Sequence, residues 1–355
     1  MKHQNKEEFT EMNTKSEKEN VYSRRSFLKA GSLGALGLAA MSYLPGGLQN
    51  TVLAHGGTSA SSTHDQSTPL TNGKNSSKMS HGYDPMKFLT NFDYGKITTL
   101  PNGQTQREYQ IVAEDKEIEV APGVFYPAWT YNGSVPGPTI RCTEGDHLKI
   151  YFVNKSSHPH TIHFHGIHPG KMDGVFEIVA PGQSFTYEFD AAPFGMHVYH
   201  CHAMPLKKHI EKGLYGTFII DPKKPRSKAK EMVMVMNGFD TNFDGENEFY
   251  TVNGVANYHA DHPIKVKVGE PLRIYLSNMT EFDLINSFHL HGDVFRYYPT
   301  GTNLEQFELT DTIIQCQGQR GILEWEFKFP GRFMFHAHQS EFAELGWMGI
   351  FDVVE

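Results

Sequence analysis

Between His158 and His209 the chain concentrates side chains that bind metal, opening with HPHTIHFHG and closing with YHCHAMPLKKH. Side chains on a β-strand alternate faces, so residues two apart point the same way. If HTIHFH is a strand, His163 and His165 share one face and His160 takes the other. If VYHCH is a strand, His200 and His202 share a face and Cys201 looks the opposite way. Two neighbouring strands then offer four imidazoles on one side, with a thiolate and an imidazole on the other. His209 can complete a His2Cys set, the ligands of blue-copper electron transfer, and imidazole clusters also suit copper. One short region thus combines an electron-uptake site with half of a multi-histidine cluster.

The pattern occurs twice. Tyr131-Asn132-Gly133 recurs as Val252-Asn253-Gly254, and His163-Phe164-His165-Gly166 as His289-Leu290-His291-Gly292. Tyr199-His200-Cys201-His202 recurs as Phe335-His336-Ala337-His338, and Gly213-Leu214-Tyr215-Gly216 as Gly346-Trp347-Met348-Gly349. With 20 histidines in the chain, about one His-x-His pair is expected by chance; four at equivalent places are not chance. The second copy has Asn286 in place of His160, Ala337 in place of Cys201, and no histidine after His338. It donates imidazoles but cannot hold a blue copper of its own. Eight imidazoles would suit a cluster of three coppers, about four coppers per chain with the blue site.

The elements that must position these residues are short. Val/Ile/Tyr/Phe runs alternate with Gly/Pro/Asn turns, and Leu148 to Val153 and Ile264 to Val268 follow the period of half-buried strands. Long amphipathic helical patterns are scarce. The reading is all-β, two tandem Greek-key sandwich domains over residues 95–224 and 225–355, with the boundary near Asp221-Pro222-Lys223-Lys224-Pro225-Arg226.

The chain has 355 residues, room for about two domains of ordinary size. Ahead of the repeats, Ser23-Arg24-Arg25-Ser26-Phe27-Leu28-Lys29 precedes an apolar run from Ala30 to Leu44, too short to span a bilayer. Residues 1–54 read as a signal peptide of twin-arginine type, with Val52-Leu53-Ala54 as a cleavage site. Export to the periplasm or the cell exterior is therefore expected, without stable membrane insertion once the signal is removed. Residues 55–94 read as a linker or arm, and Asp84 to Lys96 as a segment packing on the first domain. The formal charge is −8, without Lys/Arg clusters, which argues against nucleic acid as a partner. Three cysteines are too few for a disulfide scaffold; Cys142 and Cys316 are read as a pair or as buried thiols.

On these four motifs, residues 95–355 resemble a two-domain, laccase-like multicopper oxidase with its blue copper in domain 1. The resemblance implies two cupredoxin domains and copper as cofactor. It assigns His160, Cys201 and His209 to the blue copper, and His163 and His289 to a type 2 ion. It assigns His165, His200, His202, His291, His336 and His338 to a type 3 pair. It further implies a homotrimer with clusters between domain 1 of one subunit and domain 2 of the next, O2 as oxidant, and a small phenolic, aromatic or metal-ion reductant.

At the axial blue-copper position many relatives have Met and this chain has Leu214, which implies a higher potential. The Cys201–His209 loop is longer than in typical laccases and contains Met204, read as packing. His209 is the ligand expected near the surface. Met172-Asp173-Gly174 resembles the segment whose aspartate relays protons, and Glu341 is a second such carboxylate. The alternative is copper nitrite reductase, a related family that needs only three histidines at its catalytic copper and has a carboxylate where His163 stands.

Overall fold

The computed structural model describes residues 82–355; the twin-arginine segment and most of the linker reading lie outside them. The first sandwich is built from β1 (Phe92–Asp93), β2 (Lys96–Thr99), β3 (Thr105–Ala121), β4 (Val124–Tyr131), β5 (Thr139–Thr143), β6 (His147–Asn154), β7 (His163–Phe164), β8 (Ser184–Asp190), β9 (Gly195–His200) and β10 (Tyr215–Asp221). The second follows with β11 (Lys230–Phe239), β12 (Phe249–Val252), β13 (Ile264–Lys267), β14 (Leu272–Asn278), β15 (Ile285–Leu290), β16 (Phe295–Pro299), β17 (Glu308–Thr310), β18 (Thr312–Cys316), β19 (Arg320–Trp325), β20 (Gly331–His336) and β21 (Met348–Val354). Among the described residues are four short α-helices: α1 (Pro85–Phe88), which precedes β1, and α2 (Leu206–Glu211), α3 (Tyr258–Asp261) and α4 (Ser340–Glu344), which fall between strands.

The duplication read from the sequence is visible in the sheets. In the first domain one sheet runs β1-β5-β10-β9-β7; in the second the matching sheet runs β13-β21-β20-β15-β18. The β5–β10 and β13–β21 pairs are both parallel, whereas β10–β9 and β21–β20 are both antiparallel. The opposing sheets are β2-β3-β6-β8, with β4 on β3, and β12-β11-β14-β19-β16-β17. On β6 the alternation places Leu148, Ile150 and Phe152 fully in the core, as the strand period requires. Both Asn-Gly motifs are tight turns: Asn132 and Gly133 have φ of 53° and 75°, and Asn253 and Gly254 have 56° and 84°. Two successive positive φ values are why Asn-Gly is chosen there.

The two domains form one compact unit. An apolar cluster draws Tyr126, Val198 and Ile219 from the first domain and Val233, Phe239 and Tyr275 from the second. Beside it, Arg141 bonds both Asp221 (Nε–Oδ2 2.8 Å) and Glu231 (Nη1–Oε2 2.6 Å), and Arg273 bonds Glu231 from the other side at 2.8 Å. Burial would raise the Glu231 pKa, but hydrogen bonds from the two guanidinium groups and Tyr275 outweigh it and hold the carboxyl at about 2.

Three expectations need correction or extension. The end of the linker reading is folded; it packs on the first domain, as read from the sequence, and reaches the second domain as well. Leu89 belongs to the second domain's core and its carbonyl accepts from Val233 N, whereas β1 pairs with β5. Cys316 is exposed while Cys142 is buried, and both are free thiols. β7 has only two residues and β9 stops at His200, yet the ladder continues through Cys201 N to Leu214 O at 2.9 Å.

Candidate metal centres

The first centre is closed from solvent. Cys201 Sγ lies 3.1 Å from His209 Nδ1 and 3.9 Å from His160 Nδ1, and the two Nδ1 atoms are 3.1 Å apart. Donors bonded at roughly 2.0–2.3 Å to a central ion in a trigonal plane sit about 3.5–4 Å from one another, so the triangle is close to the size a metal requires. Burial and the neighbouring imidazole lower His160 to about 3; burial and nearby positive groups lower His209 to about 4, so both rings are neutral donors. Burial raises the Cys201 thiol, and a thiolate there calls for a cation. The donor set therefore fits copper.

His209 is only 3% exposed, against the expectation that it lies near the surface. The reason is α2, which occupies the long Cys201–His209 loop and turns His209 inward, under the indole of Trp129. Met204 is 79% exposed and outside the centre. Leu214 is fully buried and its carbonyl receives the Cys201 N–H.

In the second domain the equivalent place is filled. Asn286 donates to Thr280 Oγ1 and accepts from Ser287 N, Ala337 carries no donor, and the buried Trp347 stands where the first domain has Leu214. That domain holds no thiolate–imidazole set.

The histidine pairs form two quartets in the same register. His163 is the cross-strand partner of His200, and His289 of His336. His165 Nε2 lies 3.2 Å from His200 Nε2, and His291 Nε2 lies 2.9 Å from His336 Nε2. His202 packs against His163 and His200, and His338 against His289 and His336. Backbone carbonyls set the tautomers. Nδ1 of His163 donates to Asp173 O (2.8 Å), His200 to Cys201 O (3.0 Å), His289 to Asp311 O (3.1 Å) and His336 to Ala337 O (2.6 Å). Each of these rings keeps Nε2 as its lone-pair nitrogen, the arrangement that orients a metal ligand. Burial, then nearby charges, lowers His165 to about 3; burial lowers His200 to about 4 and shifts His291 and His336 down as well.

The single chain does not bring the quartets together: among the described residues, no ring contact joins a histidine of one to a histidine of the other. His291 and His338 are exposed.

Asp173 sits beside the first quartet, with Oδ1 3.2 Å from His163 Nδ1. Gly174 makes this approach possible, because at φ +71° a Cβ would stand 1.9 Å from the Ile162 carbonyl oxygen. Glu341 is exposed in the first turn of α4 and is not among the side chains that converge with His289, His291 and His336.

Several contributors were missed in the sequence. The Thr161 hydroxyl accepts the His202 N–H (2.9 Å), and the Ser287 hydroxyl accepts the His338 N–H (2.7 Å). Their signal was the repeat itself, where His-Thr-Ile-His faces Asn-Ser-Phe-His. His168 lies 3.7 Å from Asp173 Oδ1, and Arg320 reaches across from the second domain to 3.4 Å from His165 Nδ1. Neither has a counterpart that periodicity could reveal.

Fold and donor sets together define a cupredoxin-type copper oxidoreductase. Residues 113–225 and 226–355 each match a family described as multicopper oxidase. A solved structure described as a multicopper oxidase is 59% identical and aligns with a TM-score of 0.76 over 77% of this chain and 98% of that one. The chain belongs to the multicopper oxidase family. It is also 31% identical to the copper-containing nitrite reductase of Neisseria gonorrhoeae over 63% of this chain, and spans 62% of that relative's length. Laccase-2 of Botryotinia fuckeliana is 38% identical over 34% of this chain and 22% of the laccase.

Proposed function

We propose that this multicopper oxidase takes single electrons from a small reductant and delivers them to O2, forming water in a four-electron reduction. The observation that carries the reading is the pair of complete quartets, four imidazoles per domain in one register. Copper in these sites would supply one-electron chemistry at the His160–Cys201–His209 set and multi-electron chemistry at the quartets. The protein's own part is positional. Four carbonyls hold imidazole tautomers, Leu214 and Trp129 keep water from the thiol site, and the extended run from the end of β9 through Cys201 places the two donor sets on opposite sides of one segment. Asp173 is the carboxylate nearest the first quartet and the group suited to hold and pass protons there.

Each quartet offers half of a three-ion cluster, so the reading includes assembly. Support comes from exposed apolar side chains on the segments around the quartets: Ile167 and Phe176, which follow His165, are 67% and 84% exposed, and Leu284, just before β15, and Ile314, on the neighbouring β18, are 90% and 63% exposed. Joining the first-domain face of one copy to the second-domain face of the next is a heterologous contact that can close into a ring, here a homotrimer. The twin-arginine pattern supports export to the periplasm or the cell exterior.

Similarity to nitrite reductases favours a second reading, nitrite as the electron acceptor. His163 weighs against it, since an imidazole stands where the resemblance to that family calls for a carboxylate. Copper content and acceptor consumption decide between them. About four coppers per chain with reductant-dependent O2 uptake supports the oxidase. About two coppers, with nitrite reduced and O2 untouched, overturns it.

A further inference from the structure

Arg107, Arg141, Arg226 and Arg273 each bond a carboxylate. Arg320, half-buried at the start of β19, bonds none among the described residues. Taking a charge out of water costs free energy unless an opposite charge is paired with it. The other titratable groups beside this guanidinium are His197 and Tyr297. Burial lowers the first and raises the second, so neither is an anion near neutral pH. The domain seam therefore carries one uncompensated positive charge.

Both domains hold it in place. Within the second, the Arg320 carbonyl accepts from Thr300 N at 3.1 Å, and Nη1 donates to Gly318 O at 3.4 Å. Toward the first, Nε donates to Met196 O at 3.1 Å, and Thr300 O accepts from Met196 N at 2.8 Å. These bonds leave Nη1 3.4 Å from His165 Nδ1, and no other lysine or arginine of the described residues bonds a quartet imidazole. By the same repeat, Leu148 faces Phe189 as Leu272 faces Trp325, so the first-domain counterpart of Arg320 is Ser184, which carries no charge. A positive charge beside a metal ligand disfavours the more oxidised ion, because losing an electron adds positive charge there, and a partly buried setting keeps that effect strong.

We propose that Arg320 is a positioning residue of the oxidase: from the second domain it holds a permanent positive charge against His165 and so raises the reduction potential of the copper bound by the first quartet. This rests on the oxidase reading above and names a residue that sets its internal electron step. In that step one electron leaves the copper of the His160–Cys201–His209 set and one arrives at the quartet, with no proton transferred. A higher potential at the receiving end drives it forward.

The test is an anaerobic redox titration of the full, copper-loaded chain, following the near-ultraviolet band of the quartet copper and the blue band separately. Arg320→Gln keeps hydrogen-bond donors and removes the charge, Arg320→Met removes both, and Arg320→Lys keeps the charge. None of them strands a buried carboxylate, so folding and copper content are expected to hold. At a fixed applied potential, Arg320→Gln and Arg320→Met should move the reduced-to-oxidised ratio of the quartet copper about tenfold toward oxidised. The blue band should titrate as in the wild type, and Arg320→Lys should restore the wild-type curve. With ferrocyanide as reductant, kcat falls in the two neutral variants while KM stays, because the reductant delivers its electron to the blue set. A quartet titration unmoved in both neutral variants, or a shift that Arg320→Lys does not reverse, overturns the proposal. The expected shift in a protein that takes up no O2 supports Arg320 and removes the oxidase reading instead.

Discussion

The carbonyl of Cys201 accepts a hydrogen bond from His200 Nδ1 at 3.0 Å, so a single peptide group ties the buried thiol centre to the first histidine quartet. The second domain keeps this bond, from His336 Nδ1 to Ala337 O at 2.6 Å, although its thiol is gone. The lock on the imidazole therefore depends on backbone and not on the cysteine side chain. Cys201→Ser is expected to abolish the blue absorbance and lower copper from about four to about three per chain, because the quartet keeps its geometry. Metal analysis and visible spectroscopy check this; loss of all copper would contradict it.

Asp173 holds His163 through its main-chain carbonyl, which a substitution leaves in place, and adds its carboxylate at 3.2 Å. Asp173→Asn should keep the blue colour and slow O2 reduction by about a hundredfold or more, the usual weight of a positioned acid–base group. Full turnover in the variant would remove Asp173 from the proton path.

Leu214 is fully buried beside the thiol site and offers no donor atom. Introducing a thioether through Leu214→Met is expected to lower the reduction potential of the blue site, since the axial ligand tunes it. Redox titration followed at the blue band measures this, and an unmoved potential would show that the side chain does not reach the axial position.

Ile314 projects from β18, which pairs with the β15 strand that carries His289, and is 63% exposed. If that face meets the next copy, Ile314→Lys should shift the sedimenting species toward monomer. O2 uptake should fall in parallel while the blue absorbance remains. A trimer that survives the charge would place the interface elsewhere.

His259 is fully buried on α3, and neither ring nitrogen has a hydrogen-bond partner. Burial, with a smaller push from His262 against a pull from Asp84, lowers its pKa from 6.5 to about 3. The unfolded chain takes up this proton near pH 6.5 and the folded chain only near 3. Its contribution to stability is therefore complete above pH 6.5 and declines as pH falls between those values. Denaturant titrations from pH 7 to 4 should show a shallower loss of stability in His259→Phe than in the wild type. Equal slopes would mean that His259 is not the group responsible.

Much of the site was legible because strand alternation is local. His163 and His165, or His200 and His202, must share a face in any strand that contains them, and a repeat that preserves both pairs reports two matching sheets. The loss of the second blue site could likewise be read from Asn286 and Ala337. What escaped were contacts between residues distant in sequence. Trp129 covers two ligands from a strand many residues upstream, and α2 turned His209 inward where an extended loop would have left it exposed. Leu89 joined the second domain across the whole first domain.

Side-chain chemistry and spacing along the chain thus determined which atoms can donate, on which face of each strand, and that the arrangement occurs twice. Cross-strand register put His163 opposite His200 and His289 opposite His336. Backbone carbonyls then chose the tautomers, and packing of the two domains left the quartets apart within the described residues. Those outcomes depend on which distant strands meet, and strand periodicity carries no information about that.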